Sequence, residues 1–447
     1  MHFLKQFELS NTGGYKDKHK INPIISASES TKRDPEPGNP FDNFFDTNTH
    51  FSKNNNILSA RQIKKLEQVR KTYESGVYTY HQALDFKSGP EIEIDGNSYK
   101  MLSSYDYMGL IGHPYIENAA IEAIHNFGTG SGGVRLLTGT NKLHLELEKT
   151  FAEFKGTEAA ATFSSGYNAN LAVISILMDT KDMVLVDSKI HQSTIDACKL
   201  SGVPYRRFAH NDPNSLEILL KRYSREHKVL VISEGMFSMD GDICDLPPIV
   251  SLKNKYGAFL MLDEAHSLGV LGANGRGVDS YFNIPPQEVD IFVGSFSKAV
   301  PANGGFIAGT KELIILMQHA STPYIFSASQ SPATAASIIA TVQVMTTEPD
   351  RFDLLWENTR FFRSELNKMG YNTGVSASPI IPVILGSDAT ALKFSRSLFD
   401  NGILATPVIF PAVPKNEARL RLCATAAQDK VFLAECLTVF DKLRTKF

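Results

Sequence analysis

Thiols are scarce in this chain. Cys198, Cys244, Cys423 and Cys436 are the only four cysteines in 447 residues, and no two stand in a Cys-x-x-Cys spacing. That scatter suggests neither a zinc site nor a disulfide framework, so no metal centre is expected and a reducing cytosol suits the chain. Long apolar runs are missing as well. The best of them, residues 171–178, falls far short of the roughly 20 residues that cross a bilayer. The opening MHFLKQFELSN has too short an apolar stretch for a signal peptide. A charge excess of one sign is the third absence: 45 basic against 48 acidic side chains leave a net charge of −3. General nucleic-acid binding needs a basic face and is not expected. The reading is a cytoplasmic protein with at most peripheral membrane contact.

What is present is the composition of a soluble globular chain, 43% hydrophobic and 21% charged. Residues 1–56 are rich in Asn, Ser, Lys, Asp, Gly and Pro, and read as a disordered or loosely docked polar arm. The aromatic cluster FDNFF at 41–45 interrupts it. Residues 57–100 read as a helix followed by a hairpin: Ser59 is an N-cap candidate, Gly76 a stop, and Asp-Gly separates two alternating runs in EIEIDGNSYKMLS. Residues 101–335 read as a large α/β domain and 336–447 as a smaller α+β domain.

Within the large domain, short apolar runs predict buried parallel strands at MVLVD (183–187), VLVISEG (229–235), FLMLDEAH (259–266), DIFVGSFSK (290–298) and GGFIAG (304–309). Helical segments such as SLEILLKRYSREH and LPPIVSLKNKYG separate most of them, which implies a mostly parallel sheet covered on both faces. In the smaller domain, SPIIPVILG and RLRLCAT read as strands. Ligands of such sheets sit beyond the carboxyl ends of the strands. Glu234, Asp263, Glu264, His266, Ser295, Ser297 and Lys298 gather at those ends.

A lysine at a buried strand end is costly as an ammonium, and a neutral amine is what Schiff-base chemistry requires. The bland alternative is a surface lysine in a loop. Asp263 can hold a proton on a ring nitrogen, or merely cap the following turn. Ser164, Ser165 and Gly166 precede an apolar helix, an anion site when the first amides face a ligand and an ordinary cap otherwise. His191, just after a strand, can stack on an aromatic ring or be structural.

Together, SFSKAVPANGGFIAG, LDEAHSLGVLGANGRGV, SEGMFSMDGD and GTGSGGVRLLTGTNKLHLELE resemble the α-oxoamine synthases, fold-type-I pyridoxal 5'-phosphate (PLP) enzymes. The resemblance spans about residues 95–430. It implies condensation of an amino acid with an acyl-CoA, or an acyl carrier protein, with loss of CO2. Lys298 is then the lysine that carries the cofactor and serves as base. Asp263 pairs with the pyridine nitrogen, His266 with the ring hydroxyl, and His191 stacks on the ring. Gly166, Tyr167 and Ser165 form the phosphate turn, helped by Ser295 and Ser297. Ser327 reaches the phosphate of the neighbouring subunit, so the resemblance implies a homodimer with shared sites. Arg421 grips the substrate carboxylate, with Arg419 as fallback.

Within the family, DEAHSLG and TPYIFSAS are most similar to serine palmitoyltransferase, which makes serine and a long-chain acyl-CoA the expected substrates. Other members, using glycine, alanine or cysteate, stay open, as do transamination and aldol cleavage on the same fold. A catalytically dead partner subunit is the remaining alternative, and intact Lys298 and Asp263 argue against it. Three positions depart from the family pattern: Asp106 stands where Asn is usual, Val300 and Pro301 follow the lysine, and Gln428 follows Ala427 where Ala-His is common. Asp106 is therefore a candidate substrate-binding residue that either faces the carboxylate or turns away to a backbone partner.

Overall fold

The computed structural model describes residues 57–447, so the polar arm read over 1–56 and its FDNFF cluster lie outside the described residues. Ser59 caps the helix Ala60–Glu74 through a reciprocal bond with Gln62, as the sequence predicts. The hairpin follows as β1 (Glu91–Ile94) and β2 (Asn97–Met101). Its turn needs two positive-φ residues, and Asp95 (φ 52°) with Gly96 (φ 71°) meets that need.

Seven strands build the central sheet: β3 (Ala159–Phe163), β4 (Met183–Asp187), β5 (Tyr205–Phe208), β6 (Val229–Glu234), β7 (Phe259–Asp263), β8 (Ile291–Ser297) and β9 (Pro301–Gly309). Their order is β3-β9-β8-β7-β6-β4-β5. β8, β7, β6, β4 and β5 run parallel. β9 is antiparallel to both β8 and β3, so the GGFIAG run is not the parallel strand its composition predicts. Only residues 298–300 connect β8 to β9. A parallel return needs a crossover of about a dozen residues or more, so the chain can only double back.

Along β4, β6, β7 and β8 successive apolar residues alternate between two cores. Leu185, Val231, Leu262 and Phe292 face one, and Val186, Ile232, Met261 and Val293 face the other. Each such burial contributes about 1.5–3 kcal/mol before chain entropy is counted. The C-terminal strands β10 (Ile380–Gly386), β12 (Pro407–Val408) and β13 (Ala418–Cys423) form a separate antiparallel sheet, while β11 (Ile403–Leu404) adds to β2 of the hairpin. Gln428 locks this region: its amide accepts from Thr425 N and donates to the carbonyls of Met101 and Cys423. Among the described residues no helix is long and apolar enough to cross a membrane.

The run after β7 is tied down by a buried ion cluster. Glu264, fully buried, accepts from Ser267 Oγ and from the amide of Val278. Lys155 Nζ, also fully buried, lies 3.4 Å from Glu264 and 3.0 Å from Asp279 and donates to Arg276 O. The glycine-rich loop after the DEAH run is thereby fastened behind Asp263. Removing one member of such a cluster strands an uncompensated charge, whereas exposed pairs contribute little. Lys155→Ala should lower the unfolding free energy by about 3–5 kcal/mol in a denaturant titration. Lys149→Ala, which breaks the exposed pair with Glu153, should change nothing measurable.

Candidate active site

Hydrogen bonding at the carboxyl ends of β4, β6, β7 and β8 brings the sequence candidates together. Glu234 and Asp263 are register partners at the ends of β6 and β7, and Lys298 follows β8 directly. Asp263 Oδ1 accepts from Ala265 N at 3.0 Å, so it does cap its turn. Its other oxygen accepts from Asn170 Nδ2 at 2.9 Å. The same amide nitrogen donates to Ser193 Oγ at 3.0 Å, and that hydroxyl lies 2.8 Å from His191 Nδ1. Because Ser193 Oγ accepts from Asn170, its proton points to His191 Nδ1. The exposed His191 ring is thus fixed by one edge and coupled to the buried acid.

Burial lowers the Lys298 amine below the ordinary lysine value, against the opposing pull of Asp263 and Glu234. Glu234 is pushed well above the carboxylate range by burial and by the neighbouring Asp263. One of its oxygens, Oε1, has no partner among the described residues. An amine whose charge burial disfavours, a buried carboxylate and a second acid pushed toward its protonated form therefore share one small space.

Arg421 and His266 are joined through a residue the sequence did not flag. Arg421 Nη2 donates to Tyr107 Oη at 3.1 Å, and Tyr107 Oη lies 2.9 Å from His266 Nδ1. A guanidinium cannot accept, so the tyrosine oxygen takes its hydrogen from Arg421 and gives its own proton to His266. Burial drives His266 well below its ordinary value, keeping the ring neutral. Its Nε2 then carries the proton and is a donor.

Arg421 is 3% exposed, and among the described residues no carboxylate pairs with it. Its remaining contacts are Ser238 O, Cys423 Sγ and the Tyr105 ring, 4.4 Å from the guanidinium carbon. Arg419, the fallback, is already neutralised by Asp240 at 2.6 Å and Glu417 at 3.1 Å. Asp106 turns away from the site: its oxygens accept from the amides of Leu110 (2.8 Å) and Ile111 (3.0 Å). The substrate-facing reading of Asp106 is corrected accordingly.

The helix Gly166–Leu177 starts beside β9. Ser165 caps it, accepting from Asn168 N at 3.2 Å. A Cβ on Gly305 would overlap the backbone of Ser165 and Gly166, and one on Gly304 would overlap Gln330 Nε2. The Gly-Gly pair thus lets β9 lie against the helix start. Ser295 and Ser297 hydroxyls meet at 2.7 Å on the adjoining strand. Ser327 Oγ donates to Ser164 Oγ of its own chain at 3.0 Å, which sets that hydroxyl beside the helix start. Tyr167 sends its hydroxyl to Asp196, leaving its backbone amide as its contribution to the helix start. Hydroxyls ringing a helix N-terminus make a cradle for a phosphate group.

Residues 100–439 match the family model of aminotransferases class I and II. The chain is 42% identical over 381 residues to 8-amino-7-oxononanoate synthase of Thermoanaerobacter pseudethanolicus, covering 85% of this chain and 95% of that protein. It is 40% identical over 359 residues to 8-amino-7-oxononanoate synthase 1 of Bacillus subtilis, covering 80% and 91%. Among solved structures, Sphingomonas wittichii serine palmitoyltransferase superposes with a TM-score of 0.83 at 33% identity, over 86% of this chain and 98% of that one. The Francisella tularensis 8-amino-7-oxononanoate synthase gives 0.68 at 25% identity, over 78% and 98%.

The chain belongs to the α-oxoamine synthases. These are PLP-dependent acyltransferases on the fold-type-I scaffold, which the described fold matches. An α-oxoamine synthase needs an uncharged amine for the cofactor aldehyde, a buried acid for the ring nitrogen and an anion cradle, and the residues described fit that group.

The Arg421–Tyr107–His266 chain predicts a specific defect. Tyr107→Phe leaves Arg421 Nη2 without an acceptor and His266 Nδ1 without a donor. Steady-state kinetics should show kcat/KM for the amino acid reduced roughly 10- to 100-fold, the equivalent of about 1–3 kcal/mol for buried groups left unmatched. Unchanged kinetics would show that the tyrosine only fills space.

Proposed function

We propose that this α-oxoamine synthase joins alanine to the thioester of a seven-carbon dicarboxylic acid, giving 8-amino-7-oxononanoate, CO2 and the free thiol. The observation that carries the amino-acid side of this reading is Arg421, a buried guanidinium without a carboxylate partner among the described residues. A substrate carboxylate supplies that partner in bidentate geometry. The product skeleton supports the choice of partners. Its amine-bearing carbon and terminal methyl are what alanine retains after losing its carboxylate, and the other seven carbons are a diacid. Relatives of that name at 42% and 40% identity favour it.

A second reading, serine with a long-chain acyl-CoA, is favoured by the superposition on serine palmitoyltransferase at TM-score 0.83. The DEAHSLG and TPYIFSAS runs support it as well. In either case the donor thiol is CoA or a carrier protein, the enzyme acts as a homodimer, and its compartment is the cytoplasm.

PLP, when bound, supplies the electron sink for the charge that develops at the amino acid's α-carbon. Lys298 would anchor it through Nζ, and the same atom would take the α-proton of the amino acid. Burial lowers its affinity for protons, the direction a general base requires. Asp263, oriented by Asn170 and Ala265 N, would keep a proton on the ring nitrogen. His266 Nε2–H would donate to the ring oxygen, and the His191 face would stack on the ring. The serine hydroxyls and the amides of Gly166 and Tyr167 would hold the phosphate.

A matrix of alanine, serine, glycine and cysteate against diacid and long-chain monoacid thioesters, read by thiol release, tests the assignment. Alanine with the diacid thioester should give the highest kcat/KM. Serine with a long-chain acyl-CoA as the best pair would move the function to the second reading. No thiol from any pair, or CO2 from an amino acid alone, would overturn both.

A further inference from the structure

The guanidinium of Arg421 is aimed by a turn rather than by its own strand. Its Nε donates to Ser238 O at 2.5 Å, and Arg419 Nη1 reaches Met239 O and Asp240 Oδ1 of the same turn. The turn closes on itself: Phe237 N donates to Asp242 O, and Gly241 N to Phe237 O, both at 3.0 Å. What holds its far end is Asp242. Asp242 Oδ2 accepts from His210 Nε2 at 2.7 Å and from Asn211 Nδ2 at 2.9 Å, while Oδ1 has no partner among the described residues. The grip on that carboxylate therefore comes from one histidine and its neighbour.

His210 is held equally at its other nitrogen. Nδ1 lies 2.8 Å from Oδ1 of Asp187, the fully buried last residue of β4. Neither carboxylate can donate when ionised, so satisfying both requires an imidazolium with two N–H groups. The ring is braced edge-on against Phe237 at 4.4 Å, and Asn211 N adds a bond to Asp187 Oδ2. The charged groups bearing on the ring are Asp187 from β4 and Asp242 from the turn, with the Lys189–Asp240 pair beyond them.

We propose that His210, as a doubly protonated imidazolium clamping Asp187 and Asp242, is a positioning residue that aims Arg421 at the substrate carboxylate through the turn 237–242. The inference rests on the reading of Arg421 given above. It makes amino-acid recognition sensitive to alkaline pH. The two carboxylates, acting against burial, raise His210 to about 9. A folded value raised above the ordinary imidazole value gives a contribution fully present below about 6.5 and lost as pH rises through about 9.

The test compares wild type, His210→Gln and Arg421→Lys as holoenzymes, each checked for a normal melting transition. Glutamine offers a donor to only one of the two carboxylates. For His210→Gln the amino-acid KM should rise about tenfold, while the acyl-thioester KM and kcat change less than about threefold. The wild-type amino-acid KM should climb above about pH 9 relative to the variant's, whose profile lacks that step. Independently of activity, nitrogen-15 histidine NMR should show one imidazole with both nitrogens protonated up to about pH 9, absent in His210→Gln. A neutral tautomer at pH 7, or a KM for the amino acid no higher in His210→Gln than in wild type, overturns the proposal. If Arg421→Lys raises the amino-acid KM and His210→Gln does not, only the clamp fails. If neither does, the reading of Arg421 fails and takes the clamp with it.

Discussion

An amine half-buried at the end of a parallel sheet, with two carboxyl groups for neighbours, sets the terms for the rest of this molecule. In water Lys298 would be an ammonium and chemically inert. Burial alone disfavours that charge, but would leave nothing to hold a proton on a cofactor ring. Asp263 and Glu234, adjacent across the β6–β7 ladder, balance the two demands: the Asp263 charge opposes burial at Lys298, and burial together with Asp263 pushes Glu234 well above the usual carboxylate range. The strand order that juxtaposes β6, β7 and β8 makes this possible, and the two cores exist to bury those strands on both faces.

Around that centre, other acids serve structure. Glu264 fastens the glycine-rich loop through Lys155 and Val278 N, Asp106 caps a turn, and Asp187 anchors His210. Each sits close to a chemical residue in sequence, which is why sequence proximity alone did not sort them. The sorting follows from partners. An acid whose oxygens are filled by amides or a lysine has no capacity left for a substrate, whereas Arg421 has no carboxylate partner among the described residues.

Much of this was legible beforehand, for physical reasons. Continuous apolar runs betray strands buried on both faces, so β4, β6, β7 and β8 and their polar ends stood out, and with them Lys298, Asp263 and His266. The alanine-rich β3 and the edge strand β5 with its two arginines carry weak strand signals. The antiparallel direction of β9 depended on the length of a connection, not on composition. Arg421 was ranked above Arg419 by the resemblance alone, because the two share a strand and differ only in tertiary partners. Tyr107 was silent for the same reason: its hydroxyl partners lie 159 and 314 residues away. Asn170, 93 residues from Asp263, is another such case.

The account stands or falls on which amine carries the cofactor. Borohydride reduction of the holoenzyme, followed by proteolysis and peptide mass mapping, reads that directly. The predicted result is the reduced cofactor mass on the peptide containing Lys298, with no covalent label in Lys298→Ala although the cofactor still binds. Label on any other lysine, or an undiminished label in Lys298→Ala, would contradict it.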